Sequence, residues 1–284
     1  MIGDARPKLP PCAAGGPDDG RMRVADAGRS GQWSEVGTPR SDSAVQRALR
    51  GEIERARRRR GGLPVRVLDV GGGSGVWAVP MAAAGCQVTV VDTSPNALAA
   101  LRGRARDAGV ADRVTATQGD VHALVDAVPA AGADLVLGHG LLEVVDDVAA
   151  AVGQLAEAVV PGGALSVLVA GRYGAALALA HAGRVNQARA VLTDPVGRSG
   201  PTDKLQRRLD VVGLRGLLES AARLSIELVQ GDGVFEGWLP GAVLESAAGG
   251  GEGVAELAGV VAGTPELLVL AARLHMLARR PESD

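Results

Sequence analysis

Residues 67–75 read VLDVGGGSG, and this stretch decides the fold. A short, mostly apolar run from Val67 to Val70 leads directly into a turn that is glycine at four of its five positions. An apolar run of this length, bounded by glycine, is typical of a buried β-strand. Glycine has no Cβ, so such a turn brings the backbone close to a ligand where a helix begins. The stretch therefore predicts the first strand of an α/β sheet, with a ligand-binding loop at its end.

Further short apolar runs alternate along the chain with longer stretches of helical spacing, which is the pattern of βαβ units. Strands are predicted at residues 65–70, 87–91, 113–117, 134–138, 164–169, 224–230 and 270–278. Their nearly continuous apolar character favours parallel strands that are covered on both faces. The sequence thus predicts an α/β fold, with a Rossmann-like, seven-stranded, mostly parallel sheet and helices on both faces.

The chain divides into an unstructured start and one domain. Residues 1–40 are rich in Gly, Pro, Asp and Arg without an apolar period, and they are expected to be a disordered tail. Residues 41–284 are interpreted as a single domain, which begins with an N-terminal helix at 41–62. Residues 171–222, after the fifth strand, are interpreted as an insert on the substrate side.

The N-terminal helix is predicted from its apolar spacing. Val45, Leu49 and Ile53 recur at every fourth position, which places them on one face of a helix. Asp42 or Ser43 could cap its first turn.

The composition is that of a soluble globular protein, with 46% hydrophobic and 22% charged residues in 284. No window offers 18 uncharged apolar residues, and the N-terminus lacks an apolar signal segment, so a cytoplasmic protein without a membrane partner is expected. Cys12 and Cys86 have neither metal-site nor disulfide spacing. No metal is therefore expected, and Cys86 is interpreted as a small buried residue.

The net charge of −2 argues against wholesale nucleic-acid binding, but the charge is unevenly distributed. Residues 1–60 and 172–223 each carry +5, whereas residues 61–171 and 224–284 each carry −6. If the N-terminal helix and the insert cover the same sheet edge, the two basic stretches converge there, as expected for an anionic substrate. The alternative is that these are ordinary exposed arginines. The insert residues concerned are Arg172, Tyr173, Arg184, Arg189, Arg198, Lys204, Arg207 and Arg208.

The glycine loop differs from other nucleotide-binding loops. Gly71, Gly73 and Gly75 spell GxGxG, and the sixth position, a glycine in the dinucleotide fingerprint, is Val76. The loop also lacks the Gly-Lys-Ser/Thr ending of a P-loop. Asp69 lies two residues before the first glycine, where a dinucleotide site needs no charge. S-adenosylmethionine does need an acceptor nearby, because its methionyl group ends in an ammonium and its sulfonium is cationic.

A second carboxylate closes the next strand. Asp92 follows Gly71 by 21 residues, where it can accept hydrogen bonds from both ribose hydroxyls of a nucleoside. The alternative is a helix-capping aspartate. Ser94 with Pro95 behind it already makes a good N-cap and first helical residue, which weakens that alternative.

A third carboxylate, Asp120, follows the third strand and is placed to reach an adenine amino group, with Gly119 and Val121 beside the ring. Alone it would more often be a turn residue. Together with Asp69 and Asp92, and with the glycine loop, it indicates an S-adenosylmethionine site. At this point the chain resembles the class I S-adenosylmethionine-dependent methyltransferases, and the resemblance implies their fold.

A closer resemblance is carried by four later segments: HGLLEVVDD at 139–147, PGG at 161–163, GVF at 233–235 and LHMLARRP at 274–281. In order and spacing they follow the pattern of the tRNA 5-carboxymethoxyuridine methyltransferase (CmoM/SmtA) family, over roughly residues 33–281. The resemblance implies methyl transfer from S-adenosylmethionine to the carboxylate of 5-carboxymethoxyuridine at the tRNA wobble position. Such an acceptor is already anionic, so it needs alignment and desolvation rather than a general base.

The resemblance also implies which residues contact the cofactor. An arginine of the N-terminal helix, Arg47 or alternatively Arg40, would reach the methionyl carboxylate. The remaining cofactor contacts would be Gly71, Gly72, Gly73, Gly75, Asp92, Gly119, Asp120 and His139. On the loop after the fourth strand, His139 is expected to contact the cofactor or the substrate, and Arg172 and Tyr173 are expected to position the substrate.

Three functions stay open at this point. The first is a tRNA wobble-uridine carboxyl methyltransferase, and the second is a methyltransferase of a small carboxylic acid or another metabolite. The third is a protein that binds S-adenosylmethionine without turning it over. A concave basic surface on the insert would favour tRNA as the partner, whereas an enclosed apolar pocket would favour a small-molecule acceptor.

Overall fold

Strand β1, Arg66–Val70, is the predicted first strand, and its Val67, Leu68 and Val70 side chains are buried. The computed structural model describes residues 43–124, 128, 131–222, 224–235, 239 and 250–282. The predicted tail at 1–40, Arg40 included, lies outside the described residues. The described residues belong to one compact unit, Val36–Asp284.

Strands and helices alternate along the described chain. The strands are β1, β2 (Gln87–Asp92), β3 (Val114–Gln118), β4 (Ala133–His139), β5 (Val159–Ala170), β6 (Ser225–Asp232) and β7 (Arg273–Arg279). The α-helices are α1 (Ala44–Arg59), α2 (Ala78–Ala83), α3 (Pro95–Asp107), α4 (Val148–Ala158), α5 (Arg172–His181), α6 (Val185–Thr193), α7 (Val211–Ala222) and α8 (Gly250–Ala262). Short 3-10 helices lie at Ala111–Arg113, Val121–Ala123 and Pro265–Leu270.

The strands form one sheet in the order β3-β2-β1-β4-β5-β7-β6. Neighbours from β3 to β5 are parallel, whereas β7 runs antiparallel to both β5 and β6. Strand order reverses beside β1, so the loops after β1, β2 and β4 border the crevice where α/β sheets bind ligands. The predicted fold class, a Rossmann-like, seven-stranded, mostly parallel sheet, is confirmed.

Helices cover both faces of the sheet, as predicted, because each face carries its own apolar core. One core packs Leu49 of α1, Met81 of α2 and Leu101 of α3 against the sheet. The other packs Leu155 of α4 and Leu214 of α7 against the opposite face. Nearly every side chain of β4 is therefore enclosed, which explains its continuous apolar sequence.

Helix α1 begins at a side-chain cap, because Ser43 Oγ accepts a hydrogen bond from Gln46 N at 3.2 Å. Val45, Leu49 and Ile53 are buried, as their spacing predicts. At the other end, Arg59 Nη2 lies 3.4 Å from Asp134 Oδ1, and Asp134 is the second residue of β4. The C-terminal end of α1 therefore lies at the amino edge of the sheet.

Two strands begin more than one residue away from their predicted starts. β5 begins at Val159 rather than at residue 164, so Pro161-Gly162-Gly163, which precedes the predicted strand, lies within the observed one. Gly162 has a φ of +71°, and the register with β4 shifts between Ala133 and Leu135, so the strand is irregular there. β7 begins at Arg273 rather than at residue 270, because Pro265–Leu270 forms a 3-10 helix.

Among the described residues, no helix combines the length and the apolar character that crossing a membrane requires. Cys86 is free and fully buried at the start of β2, which confirms its interpretation as a small core residue. Burial raises the pKa of its thiol to about 11, so the thiol is unreactive at neutral pH.

Candidate active site

The loop after β1 has a backbone that glycine alone adopts easily. Gly71, Gly73 and Gly75 have φ values of +72°, +55° and +81°. Residues with a Cβ rarely enter this left-handed region. Gly71 N donates to Val91 O at 2.7 Å and Gly75 N donates to Gly72 O at 2.9 Å, so the loop is held in a tight turn against β2.

Glycine is required at residue 72 because the backbone there packs closely against Asp69 and Val90, and not because of its φ. A Cβ on Gly72 would lie 2.5 Å from Asp69 Cγ and 2.9 Å from Val90 Cγ1. The loop therefore folds directly over the Asp69 carboxyl group, and any side chain at residue 72 would push the two apart.

Asp92, at the end of β2, holds the glycine loop. Its Oδ2 accepts a hydrogen bond from Gly73 N at 2.9 Å, and its Oδ1 accepts one from Ser94 N at 2.8 Å. Ser94 caps α3 by accepting from Ala97 N at 3.2 Å, and Pro95 begins the helix, as predicted. Each carboxylate oxygen has a second lone pair, so Asp92 can also accept from a ligand.

Asp69 is buried under the loop, and its Oδ2 has no hydrogen-bond partner among the described residues. Burial, with a smaller contribution from the charge of Asp92, raises the pKa of Asp69 from 3.8 to about 7. An unpaired buried carboxylate is costly, and such groups are typical of functional sites.

The loop after β3 carries the third predicted carboxylate. Asp120 is exposed, and its Oδ1 caps the following 3-10 helix by accepting from His122 N at 2.8 Å. Gly119 N donates to Asp92 O at 3.2 Å, which joins this loop to the end of β2. Val121 is buried in the core behind the loop. The structure therefore places Gly119 and Asp120 beside Asp92 at the carboxyl edge of the sheet.

His139 ends β4 and is buried, with its Nε2 2.8 Å from Ser166 Oγ. Its other ring nitrogen, Nδ1, has no partner among the described residues. The ring meets Trp77, from the glycine loop, edge to face with a centroid separation of 4.7 Å. Burial, then the charges of His275 and Arg273, lower the pKa of His139 well below 6.5, so the ring is neutral at pH 7.

Two residues that the sequence did not single out belong to this edge. Trp77 and Glu143 are both buried. Neither the indole Nε1 of Trp77 nor Oε2 of Glu143 has a hydrogen-bond partner among the described residues. Glu143 Oε1 accepts from Ala170 N at 2.7 Å. Burial raises the pKa of Glu143 to about 7, and this effect outweighs the hydrogen bonds from backbone N–H groups, which lower the pKa. Glu143 lies in the HGLLE segment, but nothing in that pattern assigns it a role.

Four of the seven buried side-chain atoms without partners among the described residues lie at the ends of β1 and β4 or in the segments that follow: Asp69 Oδ2, Trp77 Nε1, His139 Nδ1 and Glu143 Oε2. Buried polar atoms are nearly always hydrogen-bonded in native proteins, so each exception requires a reason. Their common place after β1 and β4, where the strand order reverses, indicates a ligand that supplies the partners.

The predicted arginine of α1 lies on its exposed side. A Cβ on Gly259 of α8 would come 2.8 Å from Arg47 Nη2, so the guanidinium lies against α8. Arg47 is in the first turn of α1, at the opposite end of the helix from Arg59.

Arg172 binds its own insert. Its guanidinium donates to three carbonyl oxygens at the end of α6, those of Val191 (3.1 Å), Leu192 (2.9 Å) and Asp194 (2.6 Å). These carbonyls lack partners within the helix, so Arg172 caps α6. Tyr173 is exposed, and its hydroxyl lies 3.5 Å from Asp210 Oδ2.

Other insert arginines are also paired internally. Arg207 Nη1 donates to Leu142 O at 2.7 Å and Nη2 donates to Asp146 O at 3.0 Å, so Arg207 ties the insert to the loop after β4. Arg208 forms an ion pair with Asp203. The positive charge available to a substrate on this insert is therefore smaller than its composition implies.

Within the described residues, no group of three or more His, Cys, Asp or Glu side chains could hold a metal ion.

Replacing Asp69 with asparagine should stabilise the ligand-free protein at high pH. The folded carboxyl keeps its proton until about pH 7 whereas the unfolded one loses it near 3.8, so stability falls as the pH rises between these values. The asparagine side chain cannot ionise, so we expect a gain of about 2–4 kcal/mol at pH 8 that disappears toward pH 4. Urea unfolding at both pH values measures it.

The control for this prediction is Asp112→Asn, since Asp112 is exposed. That variant should show no pH-dependent difference from the parent protein. A gap between Asp69→Asn and the parent that is equal at pH 4 and pH 8 would contradict the raised pKa.

A family model described as a methyltransferase domain matches residues 41–188. The chain is 32% identical over 126 residues to the tRNA 5-carboxymethoxyuridine methyltransferase of Escherichia coli K12. The alignment covers 43% of this chain and 47% of that relative, so the chain spans about half the length of the curated relative that it matches.

Solved structures share the fold. A methyltransferase from Mesorhizobium loti, described as S-adenosylmethionine-dependent, has a TM-score of 0.55 and 20% identity, over 84% of this chain and 99% of that one. A methyltransferase from Methanosarcina mazei, described in the same way, has a TM-score of 0.53 and 16% identity, over 78% of this chain and 94% of that one. At these identities the likeness concerns the fold.

Proposed function

Because the chain belongs to the methyltransferase domain family, we propose that it methylates the carboxylate of 5-carboxymethoxyuridine at the wobble position of tRNA. The chain is an S-adenosyl-L-methionine-dependent methyltransferase, and the methyl acceptor is the part that is proposed. The observation that carries the acceptor is the 32% identity with the Escherichia coli enzyme over 126 residues.

The residues at the carboxyl edge fit the cofactor. The glycine loop leaves no room for a Cβ at Gly72, and Asp69 Oδ2 beneath it lacks a described donor. When bound, S-adenosyl-L-methionine supplies an electrophilic methyl group on a cationic sulfonium. We propose that the glycine loop and Asp69 hold its methionyl part, with Arg47 on the methionyl carboxylate.

The nucleoside part would be held by the loops after β2 and β3. Asp92 would accept hydrogen bonds from the ribose hydroxyls, since both of its oxygens keep a free lone pair. Asp120 would accept from the adenine amino group, with Gly119 and Val121 beside the ring. His139 would face the reacting groups at the end of β4.

A carboxylate acceptor suits the chemistry of this edge. A carboxylate is anionic at neutral pH, so its oxygen attacks the methyl carbon without losing a proton. What the protein must supply is alignment and the removal of water. The buried Trp77 and His139, which pack edge to face, form a rigid wall that can provide both.

The insert favours a second candidate, a small carboxylic acid or another metabolite. Arg172, Arg207 and Arg208, which would be available to an RNA backbone if they were unpaired, donate to carbonyls and to Asp203. Exposed apolar side chains, including Leu177, Val185 and Leu192, lie on the same two helices, α5 and α6. Nucleic-acid interfaces are usually more polar and more basic than this surface.

The test incubates the protein with methyl-labelled S-adenosyl-L-methionine and total tRNA from a strain that lacks this gene but still makes 5-carboxymethoxyuridine. We expect label on a wobble uridine, released as methanol by mild alkali because the product is an ester. tRNA without 5-carboxymethoxyuridine is the control. Unlabelled tRNA, together with a new labelled product when a small-molecule fraction of cell extract replaces the tRNA, would favour the metabolite. Cofactor binding without any transfer would contradict both.

A further inference from the structure

A chain of hydrogen-bonded polar side chains crosses the sheet from the half-buried Gln230 on β6 to the buried His139 on β4. Gln230 Oε1 on β6 lies 3.0 Å from His275 Nδ1 on β7. His275 Nε2 lies 2.8 Å from Ser166 Oγ on β5, and Ser166 Oγ lies 2.8 Å from His139 Nε2 on β4. His139, Ser166 and His275 are buried, so water does not compete for these bonds.

The direction of each hydrogen bond follows from the proton inventory. The Oε1 of Gln230 only accepts, so His275 carries its proton on Nδ1. Burial lowers the pKa of His275 to about 4, so at neutral pH its Nε2 is unprotonated and accepts a hydrogen bond from the Ser166 hydroxyl. The Ser166 oxygen, having donated its one proton, must accept from His139 Nε2–H.

The chain therefore determines the state of the atom at its end. His139 is neutral and carries its proton on Nε2, so its Nδ1 is left with a lone pair. This is the nitrogen without a partner among the described residues. The edge-to-face packing of Trp77 at 4.7 Å holds the ring in this orientation.

We propose that Gln230, His275 and Ser166 are positioning residues that hold His139 as its Nε2–H tautomer, so that Nδ1 offers a fixed hydrogen-bond acceptor to the ligand. Nδ1 then takes an N–H or O–H group and repels a bare carboxylate oxygen. This consequence for the ligand rests on the proposed function. A carboxylate acceptor has no such proton, so the methionyl ammonium of the cofactor would supply the donor, whereas a hydroxyl or amine acceptor would supply its own.

Ring ¹⁵N NMR spectra determine the tautomer of His139 directly. The chain has four histidines, so ring ¹⁵N spectra of histidine-labelled protein are simple, and His139→Gln assigns the signal. We expect Nδ1 of His139 unprotonated and Nε2 protonated in the parent protein. Ser166→Ala and Gln230→Leu break the chain at two points and should give mixed tautomers, whereas Ser166→Thr keeps a hydroxyl and should restore the parent spectrum.

Cofactor-product affinity and methyl-transfer kinetics test whether His139 Nδ1 accepts a hydrogen bond from the ligand. Losing the fixed acceptor should weaken the affinity for S-adenosylhomocysteine about ten-fold in Ser166→Ala and Gln230→Leu if the cofactor is the donor. If the acceptor is the donor, the affinity should stay unchanged and kcat/KM should fall instead. Gln87→Leu, an exposed site at the amino end of β2, is the matched control, and thermal melting verifies that each variant is folded.

A proton on His139 Nδ1 in the parent protein would overturn the proposal, as would a single unchanged tautomer in both breaking variants. The spectra need neither cofactor nor acceptor. Failure of methyl transfer with the expected tautomers would therefore contradict the proposed function alone.

Discussion

Asp92→Ala should abolish tight binding of S-adenosylhomocysteine, with a loss of at least about 100-fold in affinity. Each charge-assisted hydrogen bond from a ribose hydroxyl contributes about 1.5–3 kcal/mol, and the variant loses two. It also loses the acceptors of Gly73 N (2.9 Å) and Ser94 N (2.8 Å), so the glycine loop is less firmly held. Isothermal titration calorimetry measures the affinity.

Two comparisons distinguish the loss of the ribose hydrogen bonds from the loss of the hydrogen bonds by which Asp92 stabilises the glycine loop. An S-adenosylhomocysteine analogue without the ribose 2′-hydroxyl should bind the parent protein less tightly but lose less on going to Asp92→Ala. Asp92→Asn keeps one acceptor oxygen and should fall between the two proteins. Equal affinity of the parent and Asp92→Ala, with both folded by circular dichroism, would contradict the ribose role.

Gly75→Ala should be the most destabilising change in the glycine loop, because two costs combine there. Gly75 has a φ of +81°, which costs a residue with a Cβ about 1–2 kcal/mol. The new Cβ would also collide with Leu101 Cδ1, and Leu101 is fully buried in α3 and cannot move aside. Overpacking of this kind costs about 1–3 kcal/mol.

We therefore expect Gly75→Ala to lower the free energy of unfolding by about 2–5 kcal/mol, measured by urea denaturation. The matched control is Gly103→Ala in α3, where a Cβ would meet nothing within 4 Å. It should stabilise the protein by up to about 1 kcal/mol, because alanine is the better helix former. Similar effects of the two substitutions would contradict the constraint on the loop.

The sequence predicted the sheet because its strands are buried on both faces. The runs around Val67, Val88 and Leu135 are apolar for that reason, and they alternate with helices that α/β topology requires. Strand starts were harder to predict. β5 starts at Val159, ahead of Pro161-Gly162-Gly163, and its pairing with β4 is interrupted there and resumes at Ala164 after a register shift.

The placement of the three carboxylates proposed to hold the cofactor was predictable because each lies at or just beyond the end of a strand. Asp69, Asp92 and Asp120 need only the order of the strands to reach one edge. The proton chain to His139 was not predictable, because Ser166 and His275 are 109 residues apart and meet only through the register of β5 with β7. Nothing local to either residue indicates that contact.

For the insert, the sequence gives the positive charge directly, but it does not predict which groups the arginines bind. Arg172 follows β5 directly, which suggests a substrate contact, but it caps α6, which begins 13 residues later. Whether an arginine meets a carbonyl or a ligand depends on how two helices pack, and composition does not contain that information.

The most direct test of the account is where the cofactor product binds. Titrating S-adenosylhomocysteine into ¹⁵N-labelled protein should shift the amide resonances of Gly71–Gly75, Asp92, Gly119–Val121 and His139. The amides around Asp134 and Gly162, at the amino edge of the sheet, should stay in place. An unchanged spectrum at saturating ligand, or shifts confined to the amino edge, would contradict the account.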